Sequence, residues 1–159
     1  MTDMLVRLYA IDDVPAVAGV TLRRPLMPER HLVLAWIAER FSPGWVSECA
    51  GAFALRPIAC IIAVREQEIL GFGVYDSTAL GVMGPFGVAE EARGSGIGRA
   101  VCLAIGHEMR ARGYQYAAIG SVGPRAFYER TFGATEIAGS DPGMYRGMLP
   151  VRAKPNAGA

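Results

Sequence analysis

The sequence predicts an α/β (α+β) fold, a mixed sheet with helices packed against it, and three observations lead to this prediction. Helical periodicity dominates residues 28–55. Short apolar runs separated by turn residues occupy 58–88. Helical and strand-like segments then mix without strict alternation over 97–149, which indicates a mixed sheet rather than a uniformly parallel one.

The N-terminal part predicts one strand followed by helices. Residues 4–11 alternate between two faces, as a strand does. Two aspartates that can cap a helix, with a proline soon after them, predict a helix over 13–23. A second helix over 28–41 begins at a proline and is interrupted by a Ser-Pro dipeptide, and 45–55 is a further helical segment.

The middle of the chain predicts three strands. Residues 58–64 and 69–75 flank a polar turn and read as a hairpin. A glycine-broken strand follows over 80–88, and it contains Pro85. Because proline cannot donate to a sheet ladder, this strand should be bulged or unpaired at Pro85.

The last third begins with a glycine-rich loop and a helix from Ile97 to about Arg112, stopped by Gly113. The remaining segments are, in order, a strand, a helix and two strands: 116–120, 124–131, 135–137 and 145–149.

Composition and charge are those of an ordinary globular protein. Of 159 residues, 52% are hydrophobic and 19% are charged. The 16 basic and 15 acidic residues nearly balance, so the charge predicts no nucleic-acid partner and no acidic membrane partner. Because no linker divides the chain, we expect one domain over 1–150 and a flexible, small and polar tail over 151–159.

The cysteines and the N-terminal residues bear on where in the cell the protein is expected and on whether it binds a metal. Three widely spaced cysteines without a CxxC pair exclude a full disulfide framework and a cysteine-based zinc site. Acidic residues interrupt the N-terminus, unlike a signal peptide, and the longest aliphatic run, 58–64, is too short to span a bilayer. We therefore expect a cytoplasmic protein that binds no metal.

The stretch FGVAEEARGSGIGR, residues 86–99, is the segment most suggestive of function. Three glycines at alternate positions stand between two arginines, directly before a helix: Arg93, Gly94, Gly96, Gly98 and Arg99. Glycine allows a close approach of the backbone to a ligand, and a helix N-terminus offers unpaired N–H groups to an anion. The pattern indicates a phosphate cradle, with a plain strand-to-helix turn as the alternative.

Two familiar phosphate motifs do not fit this loop. A dinucleotide fingerprint needs a small third residue, but counting from Gly94 or Gly96 that position is Arg99 or Val101. A Walker A loop ends in GK[ST], and the only lysine of the chain is Lys154.

The wider pattern, Arg93-x-x-Gly96-x-Gly98 followed by a helix, a strand and the aromatic-rich helix FYERTFGA, resembles the GCN5-related N-acetyltransferase (GNAT) family. The likeness covers about residues 58–149. It implies a mostly antiparallel sheet of about six to seven strands, splayed between the family's fourth and fifth strands, with helices on both faces. In that family the glycine motif binds the pyrophosphate of acetyl-CoA.

The resemblance also implies where acetyl-CoA, the cosubstrate, would bind. The strand that ends at Val88 matches the family's fourth strand. The Phe86 N–H would lie near the thioester carbonyl, and Val88, beyond Gly87, would hold the pantetheine amide. The pyrophosphate would meet main-chain N–H groups of the loop and the start of the helix, with Arg99 available for charge-assisted contacts: Arg93, Gly94, Ser95, Gly96, Ile97, Gly98 and Arg99.

For catalysis, Tyr128 matches the tyrosine that the family commonly uses as general acid toward the leaving sulfur. Seven residues earlier, Ser121 stands where many family members have asparagine, and its hydroxyl is able to bond pantetheine.

No general base is obvious from the sequence, because the strand over 80–88 carries no acid. The candidates are a water relay and four side chains: Glu48, Asp76, His31 and His107. Glu48 is preferred, as base or as acceptor-binding group, because it belongs to the aromatic helical stretch that would form the acceptor wall in this family.

The resemblance implies an N-acetyltransferase that moves an acetyl group from acetyl-CoA to a primary amine of a small molecule, such as an amino sugar, by direct attack in a ternary complex. Two alternatives stay open: a protein or peptide N-acetyltransferase, and a non-catalytic acyl-CoA-binding module. Many relatives dimerise, so a homodimer is also open, although no segment indicates an interface.

Overall fold

The computed structural model describes residues 1–150, and the predicted tail, 151–159, lies outside the described residues. The strands are β1 (Met4–Arg7), β2 (Thr21–Arg23), β3 (Cys60–Arg65), β4 (Glu68–Tyr75), β5 (Met83–Val88), β6 (Tyr116–Ile119) and β7 (Thr135–Glu136). The α-helices are α1 (Arg30–Arg40), α2 (Pro43–Ala52), α3 (Ile97–Ala111) and α4 (Arg125–Phe132).

The strands form two sheets, which are joined at one position and separate beyond it. β2, β3, β4 and β5 pair antiparallel in that order, and β1 pairs antiparallel with both β6 and β7. Within residues 1–150, one parallel bridge joins the two sheets, between Val82, which directly precedes β5, and Ala118 of β6. There the Ala118 N–H donates to the Gly81 C=O at 2.8 Å. The predicted fold class is confirmed, with helices around a mixed arrangement of seven strands.

β5 is bulged where the sequence predicts it. Between two regular stretches of the β4–β5 pairing, Gly84 and Pro85 of β5 stand opposite the single residue Val74 of β4. Two residues against one is the definition of a bulge, and a proline without an N–H fits best at such a position.

Helices cover both faces of the larger sheet. A Cβ atom on Gly73 would lie 2.6 Å from the Phe86 ring and 3.0 Å from Val101 of α3, so this face belongs to α3. A Cβ atom on Gly87, which points the opposite way, would lie 2.6 Å from Phe41 between α1 and α2. No helix within residues 1–150 is long and apolar enough to cross a bilayer.

The helix predicted over 13–23 is wrong. Residues 11–20 form a loop, and Thr21–Arg23 are the strand β2, paired with β3. The loop lies along α3, where Ile11 contacts Gly106 and Val17 approaches Gly96. A proline and a glycine weaken this stretch as a helix, so pairing with β3 and packing on α3 decide its conformation.

The strand predicted over 145–149 is also wrong, because residues 141–147 form consecutive turns. Gly143 and Gly147 have φ angles of +99° and +79°, which no strand accommodates. The segment is held by side chains instead, since Met144 and Tyr145 pack against the backbone of Gly120 at the end of β6.

Candidate functional site

The edge of β5 that faces β6 presents backbone groups that have no partner among residues 1–150. The Ala89 N–H donates to the Leu70 C=O at 2.9 Å, so these two residues form a hydrogen-bonded antiparallel pair. Because such pairs alternate, the pairs that contain Phe86 and Val88 are non-hydrogen-bonded ones. The N–H and C=O groups of Phe86 and Val88 therefore point away from β4, toward the opening between the two sheets.

The glycine loop forms an exposed cradle at the start of α3. Gly94 and Gly96 have φ angles of +76° and +87°, a conformation that favours glycine. Gly96 is the N-cap of α3, and its C=O accepts the first helical hydrogen bond, from the Ala100 N–H at 3.0 Å. The N–H groups of the first helical turn, residues 97–99, thus have no partner within the helix, which favours an anion there.

The cradle is continuous with the open edge of β5. A Cβ atom on Gly98 would lie 3.4 Å from the Val88 side chain and 3.5 Å from the Phe127 ring of α4. The start of α3, the end of β5 and the helix α4 therefore converge at Gly98.

Arg99, the arginine after the cradle, is engaged by an acid. Its guanidinium lies 2.6 Å from the Asp12 carboxylate, and the two side chains are 37% and 71% exposed. Farther along α3, His107 Nε2 lies 2.9 Å from the Asp12 C=O, so His107 helps to hold the 11–20 loop. Arg93 is exposed and takes part in no ion pair within the described residues.

Tyr128 of α4 is buried beside the open edge, with 8% of its surface exposed. Its ring centroid lies 6.2 Å from that of Phe86 and 6.5 Å from that of Phe132, with which it is stacked. Burial raises the pKa of the Tyr128 hydroxyl above its ordinary value of 10, and the neighbouring Cys102 thiol adds to this shift. The hydroxyl is therefore protonated at neutral pH and available as a donor.

Ser121, at the end of β6, has a φ angle of +48° and is fixed by Asp3. Its N–H donates to Asp3 Oδ1 at 2.9 Å, and the same oxygen accepts the Met144 N–H at 3.2 Å. The Ser121 N–H is thus already engaged, which leaves its hydroxyl as the group able to meet a ligand. Nothing in the sequence around Asp3 signals this role, since its partners lie more than 100 residues away.

The candidate bases are dispersed. Glu48 of α2 accepts hydrogen bonds from the Tyr145 hydroxyl, at 2.6 Å, and from the Thr78 hydroxyl. Asp76 holds the loop before β5, because its carboxylate accepts the Gly81 N–H at 2.8 Å and the Tyr114 hydroxyl at 3.1 Å. His31 is exposed on α1 and His107 bonds the backbone of the 11–20 loop.

The aromatic residues of the predicted acceptor wall mostly pack on one another. Phe41 is stacked on Trp45 at a centroid distance of 4.9 Å, and Phe41, Trp45 and Trp36 all contact Phe72 of β4 at 5.8–6.2 Å. These rings fill the space between α1, α2 and the sheet, so a packing role accounts for them.

The two sheets separate beside the N-terminus of α3, where the edge of β5 is open. The helix N-terminus favours an anion, and the strand edge offers backbone N–H and C=O groups next to it. The fold is therefore that of an α/β protein suited to a long, phosphate-bearing ligand. The model of the acetyltransferase (GNAT) family matches residues 30–134, and the chain belongs to this family. The family predicted from the glycine motif is thereby confirmed. Among curated proteins none matches the chain.

Solved structures share this fold. A GCN5-related glucosamine N-acetyltransferase region of a fungal multi-domain GH3 β-N-acetylglucosaminidase has 18% identity and a TM-score of 0.69, over 86% of this chain and 19% of that one. A GCN5-related N-acetyltransferase from Sphaerobacter thermophilus has 19% identity and a TM-score of 0.63, over 86% and 48%. A GNAT family N-acetyltransferase from Escherichia coli in complex with CoA has 20% identity and a TM-score of 0.53, over 76% and 71%.

This chain thus spans about a fifth of the fungal protein and about half of the Sphaerobacter protein. At these identities the likeness extends to the fold alone.

Proposed function

We propose that the chain is an N-acetyltransferase that moves an acetyl group from acetyl-CoA to a primary amine of a small molecule. The observation that carries the proposal is the continuity of two unpaired backbone surfaces, the open edge of β5 and the cradle at the start of α3. Membership of the GNAT family supports the same ligand.

The residues present fit acetyl-CoA. The cradle of residues 94–99 would hold the pyrophosphate through main-chain N–H groups, aided by the Arg93 and Arg99 guanidinium groups. A Cβ atom on Gly94 would meet no atom within 4 Å, so the cradle is open to a ligand. The free backbone groups of Val88 and Phe86 would pair with the extended pantetheine arm and the thioester carbonyl, as another strand would.

Acetyl-CoA, when bound, supplies an activated thioester: the amine nitrogen bonds to the acetyl carbon, the carbon–sulfur bond breaks, and the sulfur leaves as a thiolate. Phe86 would donate its N–H to the carbonyl oxygen, where negative charge develops. Tyr128, protonated because of its burial, would donate its hydroxyl to the departing sulfur. The attacking nitrogen loses a proton, which would pass to Glu48 or to a water molecule; where water takes the proton, Glu48 would bind the acceptor amine.

A small-molecule acceptor is favoured over a peptide because the segment 140–148 lies against the end of β6 and reaches α2, which narrows the acceptor side. The fungal structure, described as a glucosamine N-acetyltransferase region, adds support for an amino sugar.

Thiol release from acetyl-CoA tests this function directly. We expect acceptor-dependent release of CoA thiol with at least one small amine from a panel of glucosamine, 1-aminopentane and 1,5-diaminopentane, and no release with peptides. The rate without acceptor is the control. Release with peptides alone would make the chain a peptide N-acetyltransferase, and CoA binding without release from any acceptor would make it a binding module.

The Asp12–Arg99 ion pair predicts an effect on acetyl-CoA affinity. Asp12→Asn releases Arg99 for the pyrophosphate and removes a repelling charge, so we expect the Kd for CoA to fall by about two- to fivefold at low salt, the range of an exposed ion pair. The gain should shrink as salt is raised. Isothermal calorimetry measures both.

Asp13→Asn is the matched control for Asp12→Asn, because it removes the same charge from a residue without an ion pair in the described part of the chain. Weaker CoA binding by the Asp12 variant would show instead that Asp12 orients Arg99 toward the ligand.

A further inference from the structure

Tyr145 joins the two sides of the opening between the sheets. Its ring lies against Gly120 at the end of β6, so closely that a Cβ atom on Gly120 would lie 2.8 Å from it. Its hydroxyl donates to Glu48 on α2, the helix that packs on β4 and β5. One side chain from the segment 140–148 therefore reaches from one sheet to the helix that covers the other.

The Glu48 carboxylate is held in one orientation. Both hydroxyl donors, Tyr145 and Thr78, bond the same oxygen, Oε1. The backbone at this position is fixed as well, since the Ser77 hydroxyl donates to the Glu48 C=O at 2.5 Å. Within residues 1–150, Oε2 takes part in no ion pair, so the carboxylate offers a fixed acceptor with its negative charge uncompensated by a cation.

We propose that Tyr145 is a positioning residue that orients Glu48 Oε2 toward a cationic group of the acceptor, which makes small molecules with at least two amino groups the acceptor class. The inference rests on the proposed function. The reacting amine must be neutral to attack the thioester, so a charged amine that meets Glu48 is a second one. Hydrogen bonds that fix the carboxylate before the ligand binds reduce the conformational entropy that is lost on binding.

The state of Tyr145 agrees with a donor role. Burial and the hydrogen bond to Glu48 raise the pKa of Tyr145 to about 12, so the hydroxyl keeps its proton at neutral pH. Tyr145 is therefore available as a hydrogen-bond donor to the Glu48 carboxylate, and its effect would be exerted through Glu48.

Calorimetry on the CoA complex tests the proposal without turnover, with 1,5-diaminopentane and 1-aminopentane as probes that differ by one amino group. We expect the unaltered protein to bind the diamine at least about threefold more tightly, a preference typical of a partly exposed charge pair. Tyr145→Phe and Glu48→Gln should each abolish that preference by weakening the binding of the diamine.

Tyr116→Phe is the control, because it removes the hydroxyl of a tyrosine that is 49% exposed on β6 and takes no part in the contacts of Glu48. In kinetics with the diamine, Tyr145→Phe should raise KM about threefold or more and leave kcat within about twofold, since a positioning residue acts on binding.

The outcomes separate the two proposals. Equal binding of the two amines by the unaltered protein, or a preference that survives in Tyr145→Phe, would overturn the role of Tyr145 even if thiol release is observed. Absence of thiol release from every acceptor, with the diamine preference intact and lost in Tyr145→Phe, would overturn the proposed reaction and sustain the cation site.

Discussion

Tyr128→Phe is expected to lower turnover at least about tenfold, because it removes the hydroxyl that would donate to the departing sulfur. Binding of acetyl-CoA should be nearly unchanged. The substitution keeps the aromatic ring, which packs on Phe86 and Phe132, and removes only the hydroxyl. A loss of this size corresponds to about 1.4 kcal/mol in the activation free energy.

The raised pKa of Tyr128 sets the sign of the pH dependence. A group whose pKa lies above its ordinary value of 10 stays protonated through the neutral range, so turnover should not decline between about pH 7 and 9 through loss of this proton. Tyr128→Phe should therefore lower the whole pH profile of kcat without shifting it over that range.

A thiolate of ordinary pKa, about 8.5, is a weaker base than the Tyr128 phenolate. Full proton transfer to the sulfur would then be uphill, and in the proposed reaction the hydroxyl would act chiefly by donating a hydrogen bond as charge develops.

Steady-state kinetics together with CoA calorimetry distinguish a catalytic role from a structural one. Tyr116→Phe serves as control, because Tyr116 is 49% exposed on β6. Equal turnover of Tyr128→Phe and the unaltered protein would remove Tyr128 from the mechanism. A parallel loss of CoA binding and of thermal stability would assign it to packing.

Local patterns predicted the elements that adjoin the site. The helix α3 follows from glycines before it and a regular apolar face, and the bulge of β5 follows from one proline, because both depend on a few neighbouring residues. The loop over 11–20 could not be predicted in this way, since its conformation depends on contacts with α3 and β3 that lie far away in sequence.

The same distinction holds within the site. The cradle of residues 94–99 is one continuous stretch, so the spacing of its glycines can be recognised in the sequence. The tie between Glu48 and Tyr145 joins residues 97 positions apart, and no periodicity encodes such a pair. Asp3 belongs to this second group, since its partners near the end of β6 and in 140–148 become neighbours only in the folded chain.

Asp3→Ala is expected to lower the free energy of unfolding by about 2–5 kcal/mol, because it leaves two backbone donors without an acceptor. The Asp3 side chain is 8% exposed, and its Oδ1 accepts the N–H groups of Ser121 and Met144 at 2.9 and 3.2 Å. Asp3→Asn keeps one acceptor oxygen at this position, so its loss of unfolding free energy should be less than half of that in Asp3→Ala. Urea denaturation followed by circular dichroism gives these values.

Asp141→Asn is the control for Asp3→Ala, because Asp141 is 70% exposed and pairs with the N-terminal ammonium group at 2.8 Å. Its effect should stay within about 0.5 kcal/mol, as for other exposed pairs. A loss below about 1 kcal/mol in Asp3→Ala would mean that water replaces the carboxylate at little cost in free energy.

If the larger loss of unfolding free energy is found, Asp3→Ala should also weaken the preference for the diamine over 1-aminopentane. Asp3 holds Met144, the residue next to Tyr145, in place.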